Sequence, residues 1–238
     1  MHINHETWNL FFNSPSEQFV ELFKKEFERT NQAPDLTNLG TVYLDTNRIQ
    51  EARDAFRRAL EMDKQARTVE LTFTLLGISE WFLGNFNEAI KLWEQSLDAQ
   101  FADEAGGVEG PALMWYGALR TENPKLKARA EKLVGRFWKI KDPTTLNFWP
   151  GPVAVAGYIL DRVDTHTFLN VWQCENRTLE LRRLCRANFW TGVKCDVPQT
   201  AREFFEEAFT NSKVAILEPE YFLAKWEFQR LSAKCGDE

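Results

Sequence analysis

The chain has 238 residues, 44% hydrophobic and 27% charged, with a formal net charge of −6. That length can bury one or two cores or build an extended stack of small units, and the acidic balance disfavours nucleic acid and anionic membranes as partners of the whole molecule. Nineteen Phe and nine Trp suit helices packed over long shared surfaces, or an aromatic groove.

The N-terminus, MHINHETWNLFFNSPSEQF, has no basic stretch leading into an apolar one, so no signal peptide is expected. His2 and His5 have a spacing that two metal ligands on a helix could share, but no further ligands cluster beside them and no metal is expected. Ser14-Pro15 opens a helix with Phe19, Leu22, Phe23 and Phe27 on one face, making 1–34 a capping region for the helices beyond it.

Asp35 is placed to cap a helix running to Leu44, and Asp45-Thr46-Asn47 supplies a turn. A second helix then carries Ala52, Ala55, Phe56, Ala59 and Leu60 at helical spacing. This pattern returns. Leu39-Gly40 recurs as Leu76-Gly77, 37 residues later, Ala52 as Ala89 at the same interval, and Phe56 as Trp93. Gly84-Asn85 breaks the second copy between its helices. Tyr116-Gly117 opens a third copy, whose second helix is out of step by a residue at Ala128. A glycine inside a helix costs about 1 kcal/mol against alanine, so its recurrence points to two helices meeting closely at that level.

Between the second and third copies lies Gly106-Gly107-Val108-Glu109-Gly110. A phosphate cradle needs a following Lys with Ser or Thr; here the neighbours are acidic, and the stretch reads as a hinge. The segment 124–141, PKLKARAEKLVGRFWKIK, reads as one helix with Lys125, Arg129, Lys132, Arg136 and Lys139 on one face and Leu126, Leu133, Phe137 and Ile140 on the buried side. A solvated face accounts for such a stripe, and an acidic partner is the functional alternative. No aromatic stands among the five to stack a base, which disfavours nucleic acid further.

DPTTLNFWPGP (142–152) holds three prolines and marks a junction. Helices are expected beyond it at about 152–162, 165–174, 178–194, 198–210 and 218–234, with Ala187, Trp190, Ala201, Phe205 and Ala208 as a degenerate fourth repeat. The longest apolar run, Pro152 to Leu160, is far short of the roughly 20 residues of a membrane span. Cys174, Cys185, Cys195 and Cys235 form no C-x-x-C pair, which fits reduced thiols in a cytoplasmic protein. His166 has no evident Ser or Cys partner, and the acidic residues fall mostly at exposed helical positions. No catalytic residue, cofactor or metal is expected.

The residues of the first copy, Leu36, Leu39, Gly40, Tyr43, Ala52, Phe56 and Ala59, resemble the tetratricopeptide repeat (TPR) family. The second copy shares Phe73, Leu76, Gly77, Ala89 and Trp93 but has Glu80 in place of the Tyr and Ser96 in place of the last Ala. The resemblance implies an all-α fold, a right-handed superhelical stack of antiparallel helix pairs, with three repeats over 35–141 and a C-terminal helical half over 142–238. The "WPGP" junction and the tail "EPEYFLAKWEFQRL" are also similar to certain bacterial TPR proteins, a lipoprotein adaptor type among them; here the first cysteine is at 174, so an envelope location is not carried over.

The resemblance further implies a non-catalytic adaptor for a protein or peptide. In the family, the first helix of each unit lines a concave face, which transfers to Thr37, Thr41 and Leu44, then Thr74, Ile78 and Trp81, then Met114 and Ala118. These are hydroxylic and apolar, unlike the Lys, Asn and Arg with which some TPR domains clamp a chaperone's terminal carboxylate. An apolar segment or helix in the groove fits them better. The alternatives are an inhibitor or immunity protein directed at one basic toxin or enzyme, and an enzyme or enzyme subunit with a site near His166 or Cys174 and Cys185.

Overall fold

The computed structural model describes residues 10–62, 70–99, 107–138, 151–172, 175–210 and 213–235. Among these the regular elements are helices and short 3-10 turns, without a strand. The chain divides into two compact units, Met1–Phe101 and Ala102–Glu238. The division falls before the third hairpin, which the repeat pattern groups with the first two.

The first unit contains α1 (Glu17–Thr30), α2 (Ala33–Asp45), α3 (Ile49–Met62), α4 (Glu70–Phe82) and α5 (Phe86–Gln95), each packed on the next. α1 buries Val20, Phe23 and Phe27, spaced three and four apart, and leaves Leu22 exposed at 41%. The expected face is therefore rotated by a step, and Phe11 completes the cluster through edge contacts with Phe19 and Phe23. α2 begins at Ala33, three residues earlier than a cap at Asp35 implies. Pro34 suits the first turn because the N–H it lacks would have no intrahelical partner there, so Asp35 lies inside the turn, where it accepts a hydrogen bond from Thr30 Oγ1 at 2.5 Å. The α2–α3 turn places Asn47 at φ 57° and the α4–α5 turn places Gly84 at φ 79°.

The recurring glycines sit where two helices touch. A Cβ built at Gly40 would meet the Phe56 ring at 2.6 Å, and one at Gly77 would overlap the Trp93 indole. That indole lies fully buried and donates to the carbonyl of Thr74 at 3.2 Å. Glu80, at the position of the first copy's Tyr43, is also fully buried. It accepts from Arg57, and from Asn85 Nδ2 at 2.7 Å, so the substituted repeat closes on an ion pair in place of a phenol.

The second unit contains α6 (Glu109–Arg120), α7 (Pro124–Val134), α8 (Pro152–Ile159), α9 (Thr165–Asn170), α10 (Arg177–Lys194), α11 (Pro198–Thr210) and α12 (Pro219–Cys235). α6 pairs with α7, and α10, α11 and α12 pack in series. In α7 the core takes Ala130, while Ala128 is exposed, so the third copy is set by residue 130. The residues read as a degenerate fourth copy fall on α10 and α11, where Ala187, Trp190, Ala201, Phe205 and Ala208 are all buried. This pair also has its close approach, between Gly192 and the Phe205 ring, where a Cβ would meet Cε1 at 2.8 Å. α8 and α9 stop at Ile159 and Asn170, short of the expected 162 and 174, and are joined by the stacked rings of Tyr158 and Phe168 at 4.1 Å. No helix among the described residues is long and apolar enough to cross a membrane.

Candidate functional site

The positions inferred for a groove are interior. Thr74, Ile78 and Met114 are fully buried, and Thr37, Thr41, Leu44, Trp81 and Ala118 nearly so. Thr37 shares a hydrogen bond with Thr72 at 3.1 Å, and the Thr41 hydroxyl donates to the Thr37 carbonyl at 3.0 Å. Trp81 packs against Phe86 at 4.5 Å and Trp93 at 5.4 Å between ring centres. Sequence alone cannot separate a buried aromatic from a binding one, because both satisfy the same helical spacing. Here these side chains are committed to packing.

The basic stripe is shorter than its spacing suggests. α7 ends at Val134, because Gly135, Arg136 and Phe137 turn away through hydrogen bonds that include Arg136 N–H to Leu133 and Phe137 N–H to Val134, at 3.1 and 2.9 Å. Glycine is a poor helix former, and these i→i+3 bonds tighten the terminus. Lys125, Arg129 and Lys132 remain on α7, with Lys125 and Arg129 exposed and Lys132 exposed in the last turn, Arg136 is exposed beyond it, and Lys139 lies outside the described residues. Phe137 and Leu126 are half-buried, and Leu133 is buried.

An open cleft does exist in the first unit, between α1 and α3 over α2, with a volume of about 540 Å³. Its floor is apolar, made by Phe27, Leu36, Leu39 and Ala55 with the ring of Tyr43. Its ridges are exposed and charged: Lys24 and Glu28 on α1, and Glu51, Asp54 and Arg58 on α3. The guanidinium of Arg58 lies over the Phe27 ring at 4.8 Å, and that of Arg48 over Tyr43 at 4.4 Å. Burial raises the Tyr43 phenol above its usual value, so it stays a neutral donor at physiological pH. A floor with charges of both signs on each side can seat an apolar side chain and orient its neighbours.

In the second unit the concentrated chemistry is buried. Across the two units Glu26, Glu70, Glu80, Glu109, Glu218, Glu220 and Glu227 are all buried, against the expectation of acidic residues on exposed faces. Glu227 joins α12 to α6 by accepting from the Tyr116 hydroxyl at 2.6 Å and Arg120 Nε at 2.7 Å; burial, then this carboxylate, hold the Tyr116 phenol well above its usual pKa. Glu109, Glu218 and Glu220 bring oxygens within 4.8 Å of one another, a spacing a metal ion could use. Their shared cation is Arg186, itself buried, which donates to Glu109 at 2.7 Å and to Glu218 and has Nε 3.4 Å from Glu220.

Two of the residues considered for catalysis are described. His166 is exposed on α9 beside Asn170, and Cys185 is buried in α10, its thiol held well above the usual pKa chiefly by burial. His2, His5, Gly106 and Cys174 lie outside the described residues, as do positions 142–150 of the junction. Gly107 sits in a turn at φ 83°, while Glu109 and Gly110 belong to α6, so the glycine stretch runs directly into a helix.

Comparison with known proteins agrees with the hairpin geometry. Residues 33–66, which hold α2 and α3, match the tetratricopeptide repeat. No match was found among curated proteins. Among solved structures, a chain in "Structure of Naa15/Naa10 bound to HypK-THB" aligns over 94% of this chain with a TM-score of 0.43 and 12% identity. The alignment spans 35% of that chain. The matched repeat at 33–66 covers α2 and α3, and the same glycine-to-aromatic contact is renewed in the next hairpin.

Proposed function

We propose that the chain is a non-catalytic scaffold that binds a protein through a short segment seated in the α1–α3 cleft. The observation that carries this reading is the open apolar floor beside the matched repeat, set against the burial of every position first inferred for the groove. The segment that suits the cleft has one apolar side chain for the floor, flanked by an acidic residue for Lys24 or Arg58 and a basic one for Glu28, Glu51 or Asp54. The exposed His166 and the protonated, enclosed thiol of Cys185 favour binding over catalysis, since a cysteine acts as its thiolate. An adaptor and an inhibitor would use this cleft alike, and the partner's identity separates them.

The test is affinity capture from native extract by the wild type and by the double variant Lys24→Glu/Arg58→Glu, followed by titration of the recovered protein against both. Loss of one dominant partner by the variant, with an unchanged melting temperature, supports the cleft. Equal binding by both moves the site elsewhere, and the absence of any specific partner removes the scaffold reading.

A further inference from the structure

Three buried carboxylates and two guanidiniums meet where the N-terminus of α6, the middle of α10 and the start of α12 converge. Arg186 contacts Glu109, Glu218 and Glu220, and Arg182 Nε donates to Glu218. Ionised, Glu220 would add its charge to two other buried carboxylates, with little water to screen it. A buried charge without a full partner is strongly unfavourable, and a group in that position neutralises instead.

The hydrogen bonds say which carboxylate takes the proton. Glu218 accepts from both arginines, and Glu109 accepts from Arg186. Glu220 Oε1 accepts from the Trp190 indole N–H at 3.0 Å, and Arg186 Nε is 3.4 Å away. Glu220 Oε2 is buried and has no hydrogen-bond partner among the described residues. An acceptor-only carboxylate would leave that oxygen's charge unanswered, whereas a protonated one carries its proton there.

We infer that Glu220 is protonated in the folded protein, and that the junction of α6, α10 and α12 is a proton-linked clamp. Among the described residues, the groups facing Glu220 are Glu109 from α6, Cys185, Arg186 and Trp190 from α10, and Glu218 ahead of α12. With the proton in place, Glu220 adds no charge to the junction and the three elements are tied together. Its loss puts a further negative charge inside the junction and loosens the hold on the N-terminus of α6.

Burial, with the charge of Glu218, raises the Glu220 pKa against the opposing pull of Arg186, in accord with the geometry. The folded state then keeps a proton that the unfolded chain releases. The contribution is complete below the ordinary glutamate pKa of about 4.3 and is lost as pH rises through the folded value.

Infrared difference spectra and urea unfolding of the full chain test this. The wild type at neutral pH should show the carbonyl band of a protonated carboxylic acid, and Glu220→Gln should abolish it. The wild-type unfolding midpoint should fall, relative to Glu220→Gln, as pH rises from about 5. Glu109→Gln removes one negative charge and leaves Glu220 in place, so it should shift titration of the band to lower pH. A band retained in Glu220→Gln, parallel midpoints for that variant and the wild type, or a stoichiometric divalent cation in the purified protein would each overturn the inference.

Discussion

A single carbon added at Gly40 would meet the Phe56 ring at 2.6 Å, and that ring is fully buried and has nowhere to retreat. Helix propensity alone makes Gly40→Ala favourable by about 1 kcal/mol; overpacking opposes it by about 1–3 kcal/mol. We expect net destabilisation in urea unfolding, partly recovered by adding Phe56→Leu, because the two positions share one contact. A midpoint unchanged or raised in Gly40→Ala would show that the glycine is not a packing requirement. Trp81 belongs to the same scale. Buried against Phe86 and Trp93, it should cost about 3–5 kcal/mol when truncated to Ala, and thermal unfolding reads that loss directly. A Trp81→Ala protein of undiminished stability would make that side chain a binding candidate again.

At the scale of the helix, boundaries follow capping chemistry more closely than hydrophobic period. Asn123 accepts from the Leu126 N–H, Asp164 from Thr167 and Asn176 from Leu179, each at the start of its helix. Asn123→Ala should therefore lower stability by about 1 kcal/mol, with fraying of α7 visible as faster amide exchange in its first turn; unchanged exchange there would refute the cap. The repeat itself is legible in sequence because Gly40, Ala52 and Phe56 carry their contacts within one hairpin. The basic stripe misleads for the opposite reason. Its apolar positions keep helical spacing through Phe137 and Ile140, yet Gly135 and the turn behind it end α7 at Val134. A periodicity count weighs every position alike, and one terminator ends a helix.

At the scale of the molecule, the chain forms two units, and the third hairpin belongs to the second. Each unit has its own buried aromatics, Phe23, Phe56 and Trp93 in one and Trp172, Trp190 and Phe205 in the other, as independent folding requires. Residues 1–101 and 102–238 produced separately should each retain helical circular dichroism and unfold cooperatively. A fragment that stays unfolded would show that the division is one of contacts only. Within the second unit, Arg186→Ala should cost about 3–5 kcal/mol by leaving buried carboxylates without their cation, and Arg186→Lys should recover only part of that.

The sequence by itself determined the class of architecture: helical hairpins, their order, and the glycine-to-aromatic contact that closes them. Those features depend on neighbours within about one repeat, and local periodicity records them. Tertiary structure alone decided which polar groups go inside and which apolar faces stay open. Arg186 meets Glu109 across 77 residues of chain, and the α1–α3 cleft exists because α2 holds two other helices apart over an apolar floor. A glutamate destined for the core and one destined for solvent carry the same letter at the same helical spacing, and only distant partners tell them apart.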